Sequence, residues 1–127
     1  MFENNGIVYG CVLTKDFKAT HIRADSAECR DLMRGSKYIQ SRMGETFKNI
    51  KADILIGRNV MFSGTSCQVA GLKKYIGKNY DNFVCLDIVC HGVPSPNVWI
   101  EYLKWQVKRN NAQVKSVDFR NKKIWMA

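Results

Sequence analysis

Two apolar runs, NVMFS at 59–63 and NFVCLDIVC at 82–90, bracket a segment that resumes at helical spacing from Ser66 to Ile76. A strand, a helix and a second strand in that order constrain the fold more than any other feature of the chain. Parallel strands need a crossover connection, and one that packs back onto its own sheet is right-handed. The second run is almost continuously apolar with β-branched residues, so it is expected to be covered on both faces. Beyond it, Ser95 and Pro96 suit the N-cap and first position of a further helix, whose apolar stripe is Trp99, Leu103 and Val107. VKSVDF at 114–119 alternates as a third strand would. The resulting β-α-β-α-β pattern predicts an α/β fold with a largely parallel sheet.

The first half adds an N-terminal antiparallel hairpin, with GIVYGCVL (6–13) and ATHIRA (19–24) flanking the polar turn TKDFK. Asp25 and Glu28 have capping-box spacing ahead of a short helix that Gly35 is placed to end. Met43, Phe47, Ile50 and Ile54 then recur at helical intervals, and Gly57 closes that segment. No repeat, low-complexity tract or Pro/Ser-rich linker interrupts the chain, so residues 1–127 are expected to form one α/β domain.

MFENNGIVYGCVLTK lacks the charged start and sustained apolar run of a signal peptide, and no later run is long enough to span a membrane. A cytoplasmic location is the expectation. Five cysteines, at 11, 29, 67, 85 and 90, do not make a small secreted disulfide framework; in a reducing compartment they are buried thiols, metal ligands or redox groups. The formal charge of +9 calls for a solvated basic surface or an anionic partner, such as cofactor phosphates or the acidic face of another subunit. Lys73 with Lys74 and Lys122 with Lys123 are only pairs, so the clustered footprint of a nucleic-acid binder is missing. Paired carboxylates, a Ser-His-Asp pattern, a zinc-type cysteine pair and a Gly-rich nucleotide fingerprint are also missing. Trp99 and Trp105 read as packing residues.

Chemistry concentrates where the strands end. Open parallel sheets bind ligands beyond the carboxyl ends of their strands. FSGTSCQ puts Cys67 after the strand ending near Ser63, and CHGVPSP puts Cys90 and His91 after the strand ending at Val89. Adjacent strands lie roughly 4.8 Å apart, so the two turns are expected to bring both thiols to one rim, with Arg120 and Lys122 reaching the same edge. Cys67 also falls near a helix N-terminus, where unpaired N–H groups favour a thiolate or a phosphate. It is a candidate nucleophilic or redox thiol, a candidate ligand to a soft metal, or a small residue in a tight corner. His91 is a candidate catalytic residue that tunes a thiolate, donates to a cofactor or takes up a proton, or else a hydrogen-bonded loop histidine. Pro94 and Pro96 stiffen that loop.

Four blocks in register, RGSKYIQS (34–41), VMFSGTSCQVAGL (60–72), DIVCHGVPSP (87–96) and VKSVDFRNK (114–122), resemble the coenzyme F420 hydrogenase/dehydrogenase beta subunit family. The resemblance implies an electron-transfer oxidoreductase domain carrying an iron-sulfur cluster and FAD, with a deazaflavin such as coenzyme F420 or another soluble carrier as acceptor. Other subunits or domains of a redox complex are the implied partners. By position, Cys67 and Cys90 become candidate cluster ligands, and Arg34, Ser36, Lys37, Tyr38, Gly64, Thr65 and Gln68 become candidates for flavin or phosphate contact, RGSKY being otherwise an ordinary helix stop followed by a polar loop. Ser66 stands where the family usually has proline. A four-iron cluster held by thiolates needs four, and Cys67 and Cys90 are the two that the resemblance places. The chain therefore resembles a fragment or shortened form of a longer redox subunit.

Two other functions stay open. A thiol-disulfide oxidoreductase would attack through Cys67 and resolve through Cys90. A non-catalytic docking module would keep the fold and use its basic face to bind an acidic partner.

Overall fold

The computed structural model describes residues 6–35, 37–90, 92–117 and 119. Eight elements follow in chain order: β1 (Ile7–Leu13), β2 (Ala19–Ala24), α1 (Ala27–Asp31), α2 (Thr46–Leu55), β3 (Val60–Thr65), α3 (Ser66–Ile76), β4 (Phe83–Ile88) and α4 (Pro96–Asn110). One four-stranded sheet has the order β2-β1-β3-β4. β1 and β2 form the expected antiparallel hairpin, while β1 and β4 flank β3 in parallel.

The three parallel positions are not the three the rhythm of the second half suggests. β1 leaves its hairpin partner on one side and pairs with β3 on the other, Ile7 opposite Val60 and Tyr9 opposite Phe62. The stretch proposed as a third strand carries none over its described residues, 114–117 and 119. α4 leads away from β4 to the hairpin turn, where the Trp99 indole N–H donates to the Phe17 carbonyl at 2.5 Å. The Phe119 ring then rests 5.1 Å from that of Trp99, which holds this part of the chain against α4. Arg120 and Lys122, expected at the strand rim, lie outside the described residues, as do His91 and Ser36.

α2 and α3 cover one face of the sheet. Ile7, Tyr9, Val60 and Phe62 from the strands pack with Ile50, Ile54, Val69, Leu72 and Ile76 from the two helices. Met43 packs against this cluster but precedes α2, so the helical spacing drawn through it continues only from Phe47. β4 is a correction. It is an edge strand in which Phe83 and Cys85 face the core, while Val84, Leu86 and Ile88 on the other face are about half exposed. A continuous apolar run signals two covered faces only when helices are laid on both, and α4 goes elsewhere.

Local chemistry accounts for the boundaries. α1 is capped by Ser26, whose hydroxyl accepts from the Cys29 N–H, and not by the Asp25 and Glu28 pair; Asp25 instead faces Arg23 at 3.7 Å. The helix ends at Asp31, before Gly35, which turns the chain at φ +87°. Ser95 caps α4 with Pro96 in its first turn, as its sequence indicates.

A buried polar lock ties β1, β2 and α2 together. Tyr9 donates its hydroxyl to Asp53 Oδ2 at 2.5 Å, and Arg23 grips both oxygens of the same carboxylate at 2.9 and 3.2 Å. Burial opposes the charge on Asp53, but the hydrogen bonds from Arg23 and Tyr9 outweigh it and hold the carboxyl below its usual range. Burial first, and then the neighbouring carboxylate, push the Tyr9 phenol upward.

Candidate functional site

The carboxyl rim of β3 and β4 is built by one register pair. Thr65 and Ile88 are partners at the end of the β3–β4 ladder, and Cys67 and Cys90 each follow two residues later. Both thiols are exposed. Parallel pairing thus delivers them to a common rim, one from the first turn of α3 and the other from the loop after β4.

The turn into α3 is held by its own side chains. Gln68 Oε1 accepts from the Thr65 N–H at 3.0 Å, the reciprocal half of a capping box, and the Thr65 hydroxyl lies 3.1 Å from Cys67 Sγ. Ser66 donates its hydroxyl to Asp87 Oδ1 at 2.8 Å and so ties α3 to β4 directly. β3 runs on through Gly64, where the absence of a side chain leaves room for the Phe62 ring: a Cβ there would come within 2.6 Å of it. On the neighbouring turn, the Gly92 N–H donates to Cys90 Sγ at 3.3 Å, with Gly92 in the left-handed region at φ +111°.

The RGSKY segment forms its own loop. The Lys37 ammonium donates to the carbonyls of Met33, Arg34 and Gly35 at 2.7, 2.8 and 3.0 Å, which uses all three of its hydrogens. Burial draws its pKa down, and the neighbouring Cys11 thiol opposes that shift. Arg34 is exposed beside Asp31, and the Tyr38 ring meets Phe119 edge-on at 6.0 Å.

His21 joins this loop to the rim. β1 and β3 separate after Tyr9 and Phe62, and the His21 ring stands in the fork, stacked on Phe62 at 5.2 Å. Its Nε2 lies 2.9 Å from the Ser63 carbonyl and its Nδ1 lies 2.7 Å from the Ser41 hydroxyl. A carbonyl only accepts, so Nε2 carries the proton and Nδ1 accepts from Ser41. Burial lowers the His21 pKa, against a smaller upward pull from the Ser63 carbonyl. The sequence signal for this residue was its place in ATHIRA, where His21 and Arg23 fall on one strand face; His21 is buried against polar partners, and the partly exposed Arg23 reaches the buried Asp53.

Among the described residues, no group of three or more His, Cys, Asp or Glu side chains is arranged to hold a metal ion. Cys85 lies mid-strand and Cys11 in the hairpin, and burial raises the pKa of both thiols. The described thiols at the rim are therefore Cys67 and Cys90, half of a four-thiolate set.

No curated protein matches the chain. A family profile describing the C terminus of the coenzyme F420 hydrogenase/dehydrogenase beta subunit matches residues 57–127, more than half of the sequence. The match takes in β3, α3, β4 and α4 and three of the four sequence blocks; RGSKYIQS lies ahead of it. By that match, and with both cysteine turns at the rim inside it, the chain belongs to the coenzyme F420 hydrogenase/dehydrogenase beta subunit family.

Proposed function

We propose that this chain is an electron-transfer oxidoreductase domain in which Cys67 and Cys90 supply two thiolates to an iron-sulfur centre shared with other parts of a cytoplasmic redox complex. The observation that carries the reading is the Thr65–Ile88 register pair, which brings two exposed thiols to one sheet edge. Soft thiolates suit iron, and such a centre would supply one-electron transfer. Two thiolates do not complete it, so the remaining ligands come from outside the described residues. What the chain itself does is aim the sulfurs, through the capped first turn of α3, the Ser66–Asp87 bond and the Gly92 turn.

FAD and a deazaflavin-type acceptor such as coenzyme F420 fit this reading as the partners that exchange electrons with the centre. Arg34 and Tyr38, both exposed on the RGSKY loop, and Ser36 between them are the residues we propose for flavin contact. Lys37, Gly64, Thr65 and Gln68 act indirectly, since Lys37 is spent on its own loop and the others build the α3 turn. His91 is proposed as the proton-handling group next to Cys90.

The test is anaerobic reconstitution of the chain in its parent complex with iron, sulfide and FAD, read by visible absorption and electron paramagnetic resonance. Cys67→Ser and Cys90→Ser should each lose the cluster signal. A full signal in the double variant would sink the proposal.

The exposure of both thiols favours a second reading, thiol-disulfide exchange. Here Cys67 attacks a disulfide substrate and Cys90 resolves the mixed disulfide; two thiols lose two protons and two electrons, and the substrate gains them. A reversible Cys67–Cys90 disulfide in metal-free protein, seen by mass spectrometry after titration with oxidised glutathione, distinguishes it.

A further inference from the structure

A groove of about 440 Å³ runs between α4 and the hairpin turn, on a part of the molecule that neither cysteine turn uses. Its floor is apolar, with Ile100, Leu103 and Val107 from α4 and Phe17 from the turn. The three α4 residues are spaced i, i+3, i+7, so they make a strip roughly 10 Å long on one side of the helix. Lys104 and Lys108, one turn apart, stand along one flank of that strip, and Lys18 adds a third ammonium from the hairpin. Asp16 is the one acid lining it. Lys104 is engaged by Glu101 at 2.9 Å, whereas Lys18 and Lys108 have no ion-pair partner among the described residues.

We propose that this groove docks an acidic amphipathic helix from another subunit of the assembly. Charge decides between the occupants. A second copy of this chain would bring two +9 molecules together through the same basic rim, and the chain's own end carries Arg120, Lys122 and Lys123. Both have the wrong sign. A helix with apolar residues at i, i+3 and i+7 and Glu or Asp beside them matches the two-turn floor and the lysine rim. The groove is also shallow and open, whereas small-ligand sites enclose most of the ligand surface. The inference rests on the chain being one subunit of a larger assembly, but its test reads binding alone and needs no cofactor.

The probe is a fluorescein-labelled synthetic peptide of roughly 16 residues, long enough for a helical apolar strip of Leu flanked by Glu. Fluorescence anisotropy with the full chain should give saturable one-to-one binding that weakens with salt. Lys108→Glu should cost about five-fold in affinity, from losing one surface attraction and gaining one repulsion. Val107→Asp, at a position more than a third exposed, should cost about ten-fold in affinity with the helix content by circular dichroism unchanged. Lys74→Glu on α3 changes the net charge equally and should stay within about two-fold, which separates the groove from bulk attraction. A peptide carrying Lys in place of Glu should bind only the Lys104→Glu, Lys108→Glu double variant. Absent saturation, equal losses from Lys74→Glu and Lys108→Glu, or displacement of the peptide by decanoate at equal concentration would each overturn the proposal. Peptide binding with failed cluster reconstitution would leave this inference standing and remove only the redox reading.

Discussion

The imidazole of His21 and the carbonyl of Ser63 meet at 2.9 Å across the fork between β1 and β3, four residues before Cys67. The bond does more than fill a gap. Ser41 holds the other ring nitrogen, so one buried side chain couples the RGSKY loop to the strand that aims the Cys67 turn.

Acidification should therefore loosen the rim. Burial depresses the His21 pKa, so the folded state keeps the ring neutral while the unfolded chain protonates at about 6.5. The His21 contribution is complete above that value and falls as pH drops through it toward the lower folded pKa. Urea midpoints measured at pH 7.5 and 5.5 should fall on acidification, and His21→Asn should flatten the slope. An unchanged slope in the variant would place the pH dependence elsewhere.

The Asp53 lock should show the largest single-residue polar effect. Asp53→Asn leaves Arg23 only its longer, exposed pair with Asp25, and the cost is about 2 kcal/mol, below that of a fully buried pair because Arg23 is partly exposed. Tyr9→Phe removes one hydrogen bond and leaves Asp53 still held by Arg23, for about 1 kcal/mol. In acid, the Asp53 contribution persists above the unfolded value of about 3.9 and is lost as pH falls through its lower folded pKa. Equilibrium urea denaturation of the two variants ranks them; a costlier Tyr9→Phe would contradict the geometry.

Gly64→Ala should strain the turn that carries Cys67. The added methyl meets the Phe62 ring at 2.6 Å and Gln68 Oε1 at 2.9 Å, so ring and cap must both shift. Overpacking of this kind costs roughly 1–3 kcal/mol. Thermal denaturation gives the loss, and the alkylation rate of Cys67 should change in the folded variant while that of Cys90 stays near wild type.

Thiol accessibility gives a direct check on the rim. Iodoacetamide pulses on native protein, followed by peptide mass spectrometry, should label Cys67 and Cys90 ahead of Cys11 and Cys85. The first two are exposed, and burial both shields the other two and raises their pKa values. Labelling of Cys11 at the Cys67 rate would contradict this placement of the hairpin.

Much of the architecture can be read from local pattern. The hairpin, α3 from Ser66 to Ile76, the Ser95–Pro96 start of α4 and the succession of the two thiol turns each rest on short-range spacing and capping chemistry, which neighbouring residues settle among themselves. The Asp25 and Glu28 pair was a near miss of the same kind, because Ser26, one residue on, reaches the Cys29 N–H. That the turns carrying Cys67 and Cys90 leave the same sheet edge was legible too, since consecutive parallel strands end on one side.

Strand partners and coverage were not legible, because they depend on which distant surfaces bury each other. VKSVDF alternates like a strand, yet β1 takes the parallel place beside β3 and the Trp99–Phe119 contact holds the later segment to α4. NFVCLDIVC reads as doubly buried, yet the outer face of β4 stays open because α4 is anchored at Phe17. Likewise the inward roles of His21 and Asp53 appear only when β1, β2, β3 and α2 converge, since a polar side chain is tolerated in a core only where remote partners satisfy it. Sequence alone marked out the two strand pairs and four helices in their order, with one strand too many at 114–119; tertiary packing decided which segments paired and what covered them, because burial is shared between segments far apart in the chain.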